Sequence, residues 1–124
     1  MASTDEINQK RFFESRRSFF SDVTKEILRI VPKAVSIHCF GLNVTGPRIC
    51  PTDWDFMVSV PASVPATDVD YLNRLTSPLG EFRHVGSNRL EVQVISENDQ
   101  SPCANLVRRE GVVIWRKPSE GAAA

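Results

Sequence analysis

Asp53 and Asp55 stand two residues apart at the head of an apolar run, DWDFMVSV. Side chains of an extended strand alternate between its faces, so both carboxylates project one way and Trp54 and Phe56 the other. Two carboxylates about 6 Å apart repel by roughly 3 kcal/mol at an effective dielectric of about 20. Something must offset that repulsion. A divalent cation can, and Mg²⁺ favours a few carboxylates together with phosphate oxygens over a cage made wholly of protein. An arginine such as Arg48, Arg83 or Arg89 can also do so, and a salt-bridged strand end without chemistry is the alternative reading.

The residues upstream bear on that choice. An apolar, β-prone stretch, AVSIHCF from Ala34 to Phe40, ends at Gly41, and Gly46 follows five residues later. Glycine lets backbone N–H groups approach an anion closely, and successive N–H groups form a concavity suited to phosphate. A helical turn between Leu42 and Thr45 would aim its N-terminus at the same place. A phosphate cradle beside paired carboxylates is what a metal-bound triphosphate requires; a tight connection between two elements is the plainer reading of the glycines alone.

The surrounding pattern supplies the elements that must hold these residues. Phe12, Phe19, Val23, Ile27 and Ile30 recur near the helical period, which predicts one long helix from about Thr4 to Val31, opened by a Ser3/Glu6 capping box and stopped by Pro32. Ala34–Phe40 reads as a buried strand and Asp53–Val60 as a second. Thr67 could cap a helix over Asp68–Leu75. Gly80 and Gly86 bracket a short piece with Phe82 and Val85, read as an edge strand. RLEVQVI, Arg89 to Ile95, alternates cleanly, with Leu90, Val92 and Val94 on one side and Glu91 and Gln93 on the other. Pro102 opens a helix ending near Glu110, Gly111 stops it, and VVIW forms a last strand. Helices alternating with strands predict an α/β (α+β) domain with a mixed sheet flanked by helices. Residues 1–117 are expected to form a single domain and 118–124 a flexible tail.

The totals narrow the function. The 124 residues suit one domain, and Lys+Arg and Asp+Glu both number 15, so there is no global attraction to a polyanion or an anionic membrane. Nucleic acid is therefore not an expected partner. The three cysteines, Cys39, Cys50 and Cys103, are odd in number and lack CxxC spacing, which argues against a zinc site or a disulfide framework. No apolar run approaches the ~20 residues that span a bilayer, and the polar, acidic N-terminus does not resemble a signal peptide. The expected location is cytoplasmic.

The stretch FGLNVTGPRICPTDWDFMV resembles the signature of the minimal nucleotidyltransferases of the DNA polymerase β-like superfamily. Phe40-Gly41, Gly46 and Thr52-Asp53-Trp54-Asp55 match that signature, with Thr where Ser is usual, and RREGVVIW resembles the family's closing helix and strand. The resemblance implies a nucleotidyltransferase fold in which three carboxylates hold Mg²⁺ (or Mn²⁺) and a nucleoside triphosphate such as ATP. Asp53 and Asp55 are the first two, and Glu91, in an apolar-acid-apolar context, takes the place of the third. A solvated strand charge is the alternative for Glu91. Gly41, Leu42, Asn43, Gly46, Arg48 and Thr52 fall where the family contacts the nucleotide. The family's phosphate-contacting Ser is Leu42 in this chain, and the following turn carries Asn43 and Thr45 in place of basic residues. A lost hydrogen bond to a charged group is worth about 1.5–3 kcal/mol.

The resemblance implies transfer of a nucleoside monophosphate to a protein or small-molecule acceptor. Small members are often paired with a helical partner, as in toxin–antitoxin systems, and the aromatic-rich N-terminal helix could meet such a partner or a second copy; ordinary core packing is the favoured reading of those rings. Three readings stay open: an active, metal-dependent transferase; a degenerate binding or regulatory module, such as the antitoxin-type partner of a helical protein; and a structural α/β domain with a salt-bridged Asp pair. His38 reads as a core histidine and Trp54 as packing that faces away from the acids.

Overall fold

The computed structural model describes residues 11, 13–41, 53–78 and 89–118. Its elements run α1 (Arg17–Ile30), β1 (Ser36–Phe40), β2 (Asp53–Val60), α2 (Ala66–Thr76), β3 (Arg89–Ser96), α3 (Pro102–Glu110) and β4 (Val112–Arg116). The four strands form one sheet in the order β3-β2-β1-β4. β1 is antiparallel to both β2 and β4, whereas β2 and β3 run parallel with α2 as the connection between them. This is the mixed, helix-flanked sheet that the alternation of helices and strands predicts.

Each face of the sheet has its own apolar layer. Ile37 and Cys39 of β1, Trp54, Phe56, Val58 and Val60 of β2, and Leu90 and Val94 of β3 join Phe20, Val23 and Ile27 of α1 in the larger core. Val69 and Leu72 bring α2 onto that same layer. On the other face, Met57 and Ile95 pack with Ala104 and Val107 of α3, and Phe40 borders them. Alternation therefore assigns Ser36, His38, Phe40, Asp53, Asp55, Ser59 and Glu91 to the α3 side.

Phe19 and Phe20 of α1 are spent inside the molecule. Phe19 lies 4.8 Å from Trp54 between ring centroids, and Phe20 meets Trp54 and Phe56 edge-on at 6.0 and 6.5 Å. Edge-to-face contacts align the positive ring edge with the negative face. Core packing is thus the correct reading for Phe19 and Phe20, and Trp54 faces away from the acids as alternation requires.

Three expectations need adjusting. The single helix predicted from Thr4 to Val31 is broken among the described residues: 13–15 are helical, Arg16 turns with φ −124° and ψ 21°, and α1 begins at Arg17. The turn brings Phe13 onto Phe20 at 5.8 Å and places the Arg16 guanidinium 5.8 Å from the Trp54 ring centre, a cation–π position. Thr67 does not cap α2; Pro65 holds that position, its carbonyl accepting from Asp68 and Val69. β1 begins at Ser36, with Ala34 already buried in the core. The piece containing Phe82 and Val85 lies outside the described residues, as do His84, Arg83 and the N-terminal capping box.

The open side of β3 is secured by one amide. Asn73 of α2 accepts from the Val94 N–H and donates to the Val94 carbonyl, both at 2.8 Å. The side chain imitates a neighbouring strand and satisfies both edge groups of that residue. At the start of α3, Ser101 accepts from the Ala104 N–H and Pro102 occupies the first turn, as the sequence predicts. Gly111 permits the tight step from α3 into β4, because a Cβ there would stand 2.6 Å from the Val107 carbonyl oxygen and 3.0 Å from that of Cys39.

Candidate functional site

β1 ends, and β2 and β3 begin, at the same end of the sheet. In the pairing register Phe40 stands opposite Asp55, Asp55 opposite Glu91, and Asp53 opposite Arg89. Directly paired residues share a face, so Asp55 and Glu91 are neighbours on the α3 side. Glu91 is exposed and Asp55 half-buried. The backbone of Asp53 belongs to β2, which puts this residue on the same face, one pleat nearer the end of the sheet; its side chain lies outside the described residues.

The bend after β1 presses against the second aspartate. Gly41 has φ +90°, a conformation L side chains rarely adopt. A Cβ built there would collide with the Asp55 carboxylate oxygen and stand 3.2 Å from its Cγ. Glycine is required twice over, by the left-handed backbone and by the close approach of a carboxylate. Leu42, Asn43, Gly46, Arg48 and Thr52, the other expected nucleotide contacts, lie outside the described residues.

Cys39 reports the charge of this corner. Burial, and then the Asp55 carboxylate, push its thiol up to about 12, with Arg16 opposing them. A fully buried thiol of this kind stays protonated and is inert as a nucleophile or metal ligand. Its role is packing, as its place in an apolar strand predicts.

Chemically, the corner offers hard oxygen donors from adjacent strands beside a glycine bend. Carboxylate oxygens of this kind suit Mg²⁺, Mn²⁺ or Ca²⁺ rather than thiophilic metals. Type and spacing singled out Gly41, Asp53 and Asp55, the family resemblance added Glu91, and the strand register brings all four positions to one end of the sheet. Neither pointed to Arg16, whose cation lies over Trp54 behind this corner; no periodicity marks a residue that interrupts its own helix.

No protein-family model and no curated protein matches the chain. Solved structures do. A candidate nucleotidyltransferase from Sulfolobus solfataricus is similar with a TM-score of 0.53 at 14% identity, over 94% of this chain and 91% of that one. The tri-AMPylated Shewanella oneidensis HEPN toxin in complex with its MNT antitoxin gives a TM-score of 0.49 at 17% identity, covering 82% of this chain and 73% of that one. The MntA–HepT toxin–antitoxin structure gives 0.48 at 17% identity, with the same 82% and 73%. The first of these defines the class: the chain has the minimal nucleotidyltransferase fold. None of the described helices is long and apolar enough to cross a membrane.

Proposed function

We propose that the chain is a divalent-metal-dependent nucleotidyltransferase that moves a nucleoside monophosphate from a nucleoside triphosphate, such as ATP, to a protein or small-molecule acceptor. The observation that carries this reading is the packing of the Asp55 carboxylate against the positive-φ bend at Gly41, with Glu91 in register beside it. A carboxylate beside the bend that, in the resemblance, meets phosphate supports this reading. The donor set fits Mg²⁺: Asp53, Asp55 and Glu91 would hold it. When bound, the metal supplies charge stabilisation to the attacking and leaving oxygens of an in-line displacement.

The chain's own residues have distinct parts in this reading. Asp53 and Asp55 would hold the metal, whose charge offsets the repulsion between their carboxylates and the α-phosphate. Glu91, exposed and unencumbered by the core, takes the proton of the acceptor hydroxyl as the new phosphoester bond forms and pyrophosphate leaves. Backbone N–H groups near the Gly41 bend would hold the β- and γ-phosphates, and Arg48 would supply positive charge to them. Leu42 in place of a hydroxyl favours the second reading, a module that binds nucleotide without turning over, of the antitoxin type.

Calorimetric titration of ATP with Mg²⁺, on the parent chain and on Asp55→Asn, tests the metal role. Binding at least tenfold weaker in the variant is expected. Unchanged binding in Asp55→Asn would sink the proposal. Incubation with labelled nucleotides and candidate acceptors then separates the two readings: pyrophosphate release with a labelled acceptor marks the transferase, and saturable binding without release marks the module.

A further inference from the structure

At the opposite end of the same sheet face lies a cleft of about 590 Å³, lined by Ser36, His38, Ser59, Glu97, Arg108, Val113, Arg116 and Lys117 among others. Its floor is polar. His38 is 5% exposed, and its Nδ1 is a buried side-chain atom with no hydrogen-bond partner among the described residues. A buried polar atom left unpaired costs about 1–3 kcal/mol, so such a group is expected to have a use.

The walls are cationic. Arg108 donates to the carbonyls of Asp99, Ser96 and Glu97, which fixes the guanidinium, and the Asp99 carboxylate, outside the cleft lining, feels its charge. Arg116 and Lys117 are exposed and make no salt bridge among the described residues. Among the described lining residues, three cations against the carboxylate of Glu97 leave an excess of two positive charges.

A β-bulge puts one of those cations there. β4 pairs Trp115 with Ile37 and Val113 with His38, so the register slips and Ile114 has no partner in β1. Strict alternation from Val113 would send Arg116 to the opposite, core-facing side of the sheet. The extra residue reverses the phase, and Arg116 pairs with Ser36 on the cleft side. Bulges recur where a side chain must be re-aimed at a site.

We propose that this cleft is a binding site for the phosphate group of a small phosphorylated molecule, held by Arg116 and Lys117 with Arg108 supplying fixed charge and His38 a buried ring nitrogen. Its volume suits a ligand of nucleotide size. A neutral chain gives no reason to expect a long polyanion along the surface instead. The site is separate from the acidic corner, and the two proposals fail independently.

The test uses the full chain with metal chelated, so that the acidic corner does not take up phosphate. Inorganic phosphate is titrated while the imidazole resonances of His38 are followed by NMR, distinguished from those of His84 by a His84→Gln variant. Saturable movement of the His38 signals is expected, retained in Asp55→Asn and weakened at least tenfold in the exposed double variant Arg116→Gln/Lys117→Gln. No movement, equal movement with chloride at matched ionic strength, or equal affinity in the double variant would overturn the proposal. So would a single-stranded oligonucleotide saturating at a lower phosphate concentration than the free ion.

Discussion

The two ends of the α3-side sheet face differ in sign and in how they are built. At one end Asp53, Asp55 and Glu91 come from the starts of β2 and β3, and the Asp55 carboxylate lies against the bend at Gly41. At the other, Arg108, Arg116 and Lys117 surround the buried His38. The acidic end depends on backbone conformation: a glycine with positive φ admits a carboxylate. The basic end depends on register: a bulge turns an arginine through half a pleat. α3 lies between them and packs on Met57 and Ile95. A chain with zero formal net charge thus carries two local fields that total composition conceals.

Gly41→Ala should disturb the acidic end most. It forces an L side chain into φ +90° and into the Asp55 carboxylate. Backbone strain of this type costs about 1–3 kcal/mol. Urea unfolding should show that loss, and calorimetry should show metal–nucleotide affinity falling at least tenfold. The His38 resonances at the far end should stay in place. If they move as much as the acidic end does, the two ends are not independent.

β3 connects the two ends, since it carries Glu91 and leads into Glu97. Its outer edge is held by Asn73 through paired bonds at 2.8 Å to Val94. Asn73→Ala removes both and leaves the Val94 groups to water, at a cost of about 1–3 kcal/mol. Hydrogen exchange should accelerate at the Val94 amide. Unchanged protection there would mean that the edge needs no surrogate strand.

The acidic end was the more legible from sequence, for a physical reason. Residue type and a period of two fix which side chains share a face of a strand, so Asp53, Asp55 and Leu90/Glu91/Val92 could be placed without coordinates. Phe40-Gly41 marked the bend because glycine is the residue such a backbone demands. The basic end obeys no such local rule. VVIWR reads as a plain strand, and alternation puts Arg116 on the wrong face; the bulge at Ile114 arises only from pairing with β1. The break at Arg16 was hidden for a similar reason. Phe19, Val23 and Ile27 keep the helical period on one side of it, and the turn is fixed by where Phe13 and the Arg16 cation meet Phe20 and Trp54.

Thiol chemistry sharpens the view of the acidic end. Burial, and then the charge of Asp55 across the sheet, push the Cys39 thiol up to about 12, whereas Cys103 is exposed. In a Cys50→Ser background at pH 8, a thiol-reactive disulfide should label Cys103 promptly and Cys39 only on unfolding. Labelling of Cys39 in the native state would mean that the corner behind Asp55 opens to solvent.

The smallest expected effect is the pH dependence at the basic end. Burial, then Arg116 and Arg108, hold the His38 imidazole below its ordinary value of 6.5. Glu97 is the one carboxylate among the described lining residues, and the cations outnumber it. As pH falls through 6.5, the unfolded chain takes up a proton at this position before the folded chain does. Stability therefore declines with acidification, by at most about 1.4 kcal/mol per pH unit for one group. His38→Gln should flatten that part of the urea-unfolding profile between pH 7 and 5.5. A bound phosphate would neutralise the arginines that repel the imidazolium, so saturating phosphate should raise the His38 midpoint and flatten the same slope in the parent chain. A slope that phosphate leaves unchanged, in a chain where His38→Gln abolishes it, would show that burial alone sets the titration and that the cations of this cleft meet no anion.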